Sequence, residues 1–218
     1  MGTSKDRSAK ISGSSVRRLS RYYRTLVRVQ KQGMAHIASR ELAERNGVTS
    51  AQVRKDLSTF GTFGKRGLGY PVEGLTEAIA GILGLDRQWP VILVGVGNIG
   101  SALLRYGQFR RQGFHIVAAF DVAPEKVGTS IDGVPIYRME RLADLVREED
   151  VEIGILSVPA PNAQEVCDMM VEAGIRAILN FAPITLDTPP GVTVRYEDMA
   201  IELETLSYAL TRGDIQEG

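Results

Sequence analysis

The sequence predicts an α/β chain in two parts, a small basic helical domain followed by a doubly wound parallel sheet. Three observations carry this expectation. Residues 1–70 hold 15 Lys and Arg against 4 Asp and Glu, whereas the remainder holds 11 against 22. The first part is apolar at helical spacing, while the second alternates β-branched runs with helical stretches. The second part opens with Val91-Ile-Leu-Val-Gly-Val-Gly-Asn-Ile-Gly100, where an apolar run passes through three glycines into a helical pattern.

Composition bounds the rest. A chain of 218 residues is long enough for one large or two small domains. At 44% hydrophobic and 24% charged it has the make-up of an ordinary soluble protein. With no apolar run of membrane-spanning length and no secretory h-region, the expected location is the cytoplasm. The single cysteine, Cys167, excludes an intrachain disulfide and fits a reducing compartment. One cysteine and two histidines leave no metal cluster to expect. Opposite charge in the two parts argues for two domains with different partners, the basic one suited to a polyanion such as nucleic acid.

In chain order, residues 1–14 are rich in Ser, Gly and Lys and read as a disordered tail. A helix is predicted over 15–32, with Val16, Leu19, Tyr23, Leu26 and Gln30 on one face and Arg17, Arg21, Arg24 and Arg28 on the other. In the stretch 38–58, Ser39 reads as an N-cap and Gly47 as the left-handed residue past a short helix. Thr49 with Gln52 reads as a capping box that opens a second helix. Two helices across a glycine turn make a helix-turn-helix. In its second helix Val53, Leu57 and Phe60 face inward and Ala51, Arg54, Lys55 and Ser58 outward. Small, hydroxyl and cationic side chains together suit a major groove. Residues 60–70 alternate aromatics with glycines around Lys65 and Arg66, which predicts a β-hairpin wing with a cationic tip. A helix over 71–87 buries Leu75, Ile79 and Ile82, and Gln88-Trp-Pro90 reads as a linker. Residues 15–87 thus form a winged helix-turn-helix domain.

Residues 88–196 read as a Rossmann domain. Strands are expected at 91–95, 115–120, 134–137, 152–158, 176–181 and 192–195, with helices at 99–111, 139–148 and 162–173. In the glycine turn, Gly95 permits the tight turn, Gly97 lets backbone approach a pyrophosphate, and Gly100 lets the helix sit on the strand. The helix start favours phosphate. Asp121, at the end of the next strand, can accept from both ribose hydroxyls and would repel a 2′-phosphate. The expected dinucleotide site is therefore Gly95, Val96, Gly97, Asn98, Ile99, Gly100 and Asp121. Val158, Pro159, Asn180, Phe181 and Ala182, on loops at the carboxyl ends of later strands, are expected near the nicotinamide. Residues 197–218 hold a last helix, about 198–212, with an apolar stripe of Met199, Leu203, Leu206 and Leu210. That stripe can pack on its own sheet or on another subunit, and the second is favoured because no later element covers it.

Val53-Arg-Lys-Asp-Leu-Ser58, Phe60-Gly-Thr-Phe-Gly64, Lys65-Arg-Gly-Leu-Gly-Tyr70, Gly95-Val-Gly-Asn-Ile-Gly-Ser-Ala-Leu103 and Ala119-Phe-Asp121 together resemble the Rex family of bacterial redox-sensing repressors. The resemblance spans nearly all of residues 15–212. It implies a homodimer with domain-swapped C-terminal helices and an inverted-repeat DNA operator. It also implies operator release by NADH and compatibility of NAD⁺ with binding. The family's Arg–Asp–Tyr switch maps by motif position to Arg24, Asp198 and Tyr106; separately, Val158, Pro159, Phe181 and a partner's Met199 are expected to make a mostly apolar pocket for the nicotinamide. Two rival readings are a repressor that senses coenzyme A or NADP, and a nicotinamide-dependent oxidoreductase. The second lacks a His or Lys placed for hydride chemistry: His36 lies in the basic domain and His115 starts a strand, opposite the ligand crevice. The expectation is therefore no enzyme and no catalytic residue.

Overall fold

The computed structural model describes residues 12–61, 63–64 and 68–213. They form two compact units, Met1–Arg87 and Gln88–Gly218.

The first unit begins with α1 (Gly13–Lys31), capped by the Ser12 side chain, which accepts from the Ser15 N–H. Its buried face is Leu19, Tyr22, Leu26 and Val29. This is a rotation from the expected face: Val16 and Gln30 are exposed and Tyr22, not Tyr23, is fully buried. Two adjacent tyrosines satisfy the same apolar period, and only a polar partner for one hydroxyl separates them. A short strand β1 (His36–Ile37) leads into α2 (Ser39–Glu44) and α3 (Ser50–Phe60). The N-cap of α2 is Ala38, not Ser39, which is already helical and makes no cap bond. Gly47, at φ 67°, turns the chain between α2 and α3. Thr49 caps α3 by accepting from the Gln52 N–H, but the box is half formed because the Gln52 amide donates to Asp56 instead.

The tip of the hairpin expected over 60–70 lies outside the described residues, and its second arm makes a further pairing. Strand β2 (Tyr70–Pro71) runs antiparallel to β1, with His36 opposite Pro71 and Ile37 opposite Tyr70. Tyr70 thus returns to the strand before the helix pair, and its ring also lies against Gly64, where a Cβ would be 2.9 Å from it. Lys65 and Arg66 lie outside the described residues, as do residues 1–11 of the expected tail. Helix α4 (Val72–Leu83) ends at Gly84, left-handed at φ 67°, and packs along α1. Val72, Leu75 and Ile79 enter the core, whereas Ile82 is exposed, against expectation. Val53 and Leu57 of α3 complete this core.

In the second unit, Trp89 and Pro90 belong to a strand and not to a linker: β3 is Trp89–Val94. The expected helix 99–111 is two helices, α5 (Asn98–Leu104) and α6 (Gln108–Arg111), broken at Tyr106-Gly107. Then come β4 (Phe114–Phe120), an unanticipated β5 (Ser130–Ile131), β6 (Val134–Tyr137) and, after a 3₁₀ turn over Met139–Arg141, α7 (Leu142–Glu148). The chain continues with β7 (Ile153–Leu156), α8 (Ala160–Glu172), β8 (Ala177–Asn180), β9 (Thr193–Tyr196) and α9 (Met199–Arg212). The sheet order is β5-β6-β4-β3-β7-β8-β9, with every pair parallel except β5 with β6.

Alternation along each strand splits the core into two layers. Ile92, Val94, Phe120 and Leu156 pack with Leu142 of α7 and Cys167 and Met170 of α8. Val91, Leu93, Ala119 and Ile155 pack with Leu104 of α5 and Phe109 of α6. Helices therefore cover both faces, and the strand order reverses between β3 and β7. Crevices at such reversals, beyond the carboxyl ends of the strands, are where doubly wound sheets take ligands.

Candidate functional site

The glycine turn sits at that crevice. Gly95 follows β3 at φ 95°, where a Cβ would lie 2.5 Å from the Ser157 carbonyl oxygen. A Cβ on Gly100 would overlap the Gly95 carbonyl oxygen, so α5 rests directly on the turn. Gly97 differs: a Cβ there would meet no atom within 4 Å. The first and third glycines answer to the chain's own packing, whereas the space before the second is left for something else. Asn98 and Ile99 are exposed beside it, and Val96 is buried. Ser157 braces the turn, its hydroxyl donating to the Gly95 carbonyl at 2.8 Å.

Asp121, just past β4, accepts from the Val96 N–H at 2.8 Å and the Ala123 N–H at 2.9 Å, and pairs with Lys126 Nζ at 3.2 Å. Burial pushes this carboxyl up, but the two backbone donors and the ammonium outweigh it and hold the group below the usual carboxylate range. A cleft of about 580 Å³ opens beside it, lined by Gly95, Gly97, Asp121, Lys126, Val158 and Pro159 among others. It is suited to a flat apolar ring with a polar sugar at its edge.

Val158 and Pro159 thus share a cleft with Asp121 and not with Asn180–Ala182, with which they were expected to group. The reason is topological: β7 lies next to β3, so the loop into α8 flanks the Asp121 turn. Asn180 is fully buried. Its amide donates to the Ala182 and Ile184 carbonyls, and its oxygen accepts from the Ala182 N–H at 2.8 Å. Its side chain is used within the loop. Phe181 packs against the core layer of α5, and Ala182 lines a smaller cleft of about 240 Å³ with Tyr196 and Asp198.

Tyr106 is 54% exposed, stacks edge-on with Phe109 at 5.1 Å, and lines a third cleft with Arg110 and Arg111. Asp198 caps α9 by accepting from the Ala200 N–H at 2.9 Å. The two residues line different clefts of one chain. Arg24 stands exposed on α1 in the first unit. On α9, Met199, Leu203, Leu206 and Leu210 are 60%, 67%, 61% and 91% exposed, and no residue of the helix is buried.

On α3, Ala51, Arg54, Lys55 and Ser58 are all exposed. Arg54 donates to Ser39 Oγ at 3.2 Å, which steers its guanidinium along the helix pair. On the opposite side Asp56 is 3% exposed and accepts from Arg18, Tyr22 and Gln52. Sequence reasoning passed over Asp56, because a charged residue at a core position gives no apolar signal. Lys126 was missed as well, although its spacing of five from Asp121 along a tight turn was a usable clue. Among the described residues no group of three His, Cys, Asp or Glu could hold a metal, and no helix is long and apolar enough to cross a membrane.

Residues 10–58 match the family described as putative DNA-binding protein N-terminus, and residues 86–184 match the CoA binding domain. A redox-sensing transcriptional repressor Rex from Roseiflexus sp. (strain RS-1) is 47% identical over 197 residues, covering 90% of each chain. A crystal structure of RSP in complex with β-NAD⁺ and operator DNA aligns with TM-score 0.88 at 41% identity, covering 92% of this chain and 93% of that one. RSP in complex with β-NADH aligns with TM-score 0.83 at 39% identity, covering 93% and 95%.

Proposed function

We propose a function from one premise: this chain belongs to the Rex family of redox-sensing transcriptional repressors. It is a DNA-binding repressor and not an enzyme. It binds NAD⁺ and NADH in its second unit and an inverted-repeat operator through its first, as a cytoplasmic homodimer. The observation that carries the nucleotide assignment is the open approach to Gly97 beside a carboxylate held ionised.

The Gly95–Gly100 turn presents backbone N–H groups to the pyrophosphate. Asp121 accepts from the adenosine ribose, with Val158 and Pro159 against the adenine side. Asn180 acts through the loop it holds, which offers Phe181 and Ala182 toward the nicotinamide. When bound, the nicotinamide supplies a redox-dependent charge, positive in NAD⁺ and neutral in NADH. An apolar lining completed by Met199 of a second copy favours the neutral ring, because burying an unpaired charge is costly. The uncovered stripe of α9 supports that exchange of helices. Asp198 then chooses between Arg24 and the Tyr106 hydroxyl, and NADH favours the second. Ala51, Arg54, Lys55 and Ser58 face the major groove, with Lys65 and Arg66 on the wing.

A second reading, a sensor of a nucleotide carrying a further ribose phosphate, is favoured by Lys126 beside Asp121. One titration tests both readings: operator binding across NADH:NAD⁺ ratios at fixed total nucleotide, with NADPH and coenzyme A as competitors. Release that tracks NADH and ignores the competitors supports redox sensing. Release by coenzyme A or NADPH at lower concentration than by NADH sinks it.

A further inference from the structure

We infer that Asp56 and Arg18, with Tyr22 and Gln52, are positioning residues that fix the rotation of α3 against α1 and thereby set discrimination between DNA sequences. The inference rests on the reading of α3 as the recognition helix.

The geometry is a closed set. Asp56 Oδ2 accepts from Arg18 Nε at 2.7 Å and from the Tyr22 hydroxyl at 2.9 Å. Asp56 Oδ1 accepts from Arg18 Nη2 at 2.8 Å and from Gln52 Nε2 at 2.8 Å. A carboxylate has about four acceptor sites, and all four are filled here. Arg18 and Tyr22 stand one turn apart on α1, and Gln52 and Asp56 one turn apart on α3. One turn of each helix is therefore keyed to one turn of the other. The planar fork of the guanidinium accepts a single orientation of the carboxylate.

The surrounding core supplies that constraint less sharply. Leu19, Leu26, Val53 and Leu57 bury apolar surface, which is non-directional and tolerates a helix turning about its axis. Buried ion pairs add little net stability, and their best-attested use is to fix register. Successive helix residues differ by about 100° in direction, so a small rotation of α3 carries Ala51, Arg54 and Ser58 away from base edges while the long Arg54 and Lys55 still reach phosphates. Any such rotation strands the Asp56 charge. The pairing also cancels a carboxylate on the helix that must approach a polyanion.

The test uses the full chain, a duplex selected by the wild-type protein from a random-sequence pool, and a scrambled duplex of equal composition. Arg18→Met and Asp56→Leu are combined so that no buried charge is left alone, and Tyr22→Phe removes one donor conservatively. In the double variant the ratio of selected to scrambled affinity should fall about tenfold or more, whereas scrambled affinity and its salt slope stay within about threefold. Tyr22→Phe should lower the ratio about threefold, with scrambled affinity held despite a modestly lowered melting midpoint. An unchanged ratio in the double variant, or in Tyr22→Phe if the double variant does not fold, overturns the inference. So does a parallel fall of both affinities with a lowered melting midpoint, which marks a purely structural role. A wild-type protein that enriches no duplex instead overturns the reading of α3 itself.

Discussion

At the scale of single residues, the three glycines of the turn separate packing from binding. Gly97→Ala adds a methyl where the chain has no atom within 4 Å, at a φ of −77° that alanine adopts freely. The variant should keep its melting midpoint and lose about tenfold or more in NADH affinity by calorimetry, since the methyl occupies the pyrophosphate approach. Gly100→Ala drives a methyl onto the Gly95 carbonyl and should destabilise the second unit by about 2–3 kcal/mol in denaturant unfolding. Equal stability losses in both variants would show that Gly97 is a packing glycine too. Asp121→Ala should weaken NADH and narrow its preference over NADPH, because an acceptor and a repulsion vanish together; Lys126→Met should widen that preference. Sequence pattern exposed the glycines and Asp121 because each has a fixed spacing from a strand end. It did not show that the Asn180 side chain bonds its own loop, because a polar residue at a strand end looks the same whether it meets a ligand or its loop. Asp121 and Asp56 also predict acid behaviour. Both carboxyls are held below their ordinary value, so their contribution to stability is full above the unfolded carboxylate value of about 3.9 and is lost as pH falls through the lower folded values. Thermal melts from pH 6 to about 2.5 should therefore fall less steeply in Asp56→Asn than in wild type. Identical slopes would remove Asp56 from the acid transition.

At the scale of elements, most of the second unit was legible because β-branched runs bounded by glycines and prolines allow few other structures. The seam at Tyr106-Gly107 was not. Leu103, Leu104 and Phe109 keep a helical period across it, and the break shows only when both ends must pack on one sheet face. The first unit was legible in its helices, but the pairing of β1 with β2 was not: two-residue strands carry no period, and their pairing is decided by tertiary position. Gly69 illustrates this, since a Cβ there would lie 2.6 Å from the Ile37 carbonyl oxygen. The outward row of α3 follows from the helical period once Val53 and Leu57 are fixed inward, and it carries its own prediction. Lys55 is exposed and is not among the residues of the core, so Lys55→Ala should leave folding intact. Operator affinity should fall and the slope of log affinity against log salt should flatten by about one phosphate contact. Full affinity with an unchanged slope in an electrophoretic or anisotropy titration would remove Lys55 from the interface.

At the scale of the whole molecule, one chain leaves its last helix without a place. The stripe of α9 faces solvent along its length, and a helix of 14 residues is too short to be stable in water without packing. On the proposed exchange, a second copy that receives it would also take Asp198 and Met199, in keeping with Tyr106 and Asp198 lining separate clefts of one chain. Leu206→Glu should accordingly yield monomers by sedimentation and weaken binding to an inverted repeat, which needs two recognition helices at fixed spacing. The proposed switch is the same exchange seen from the ligand. A nucleotide can shift the dimer only through its different affinity for two arrangements, and by reciprocity the operator must then weaken NADH. On the proposed switch, Asp198 bound to Arg24 would tie the helix to the DNA-binding unit, and Asp198 accepting from Tyr106 would tie it to the nucleotide unit. Tyr106→Phe removes a hydrogen bond worth about 0.5–1.5 kcal/mol from the second arrangement alone, so NADH should bind yet release the operator only at roughly 2- to 13-fold higher concentration. Asp198→Ala removes both arrangements' anchor and should lower operator affinity and the response to NADH together, while Arg24→Ala should lower operator affinity even with every phosphate contact of α3 intact. Operator release measured against NADH in these variants decides the matter: if all release at the wild-type concentration, Asp198 is a helix cap, Tyr106 a packing residue, and the coupling runs elsewhere.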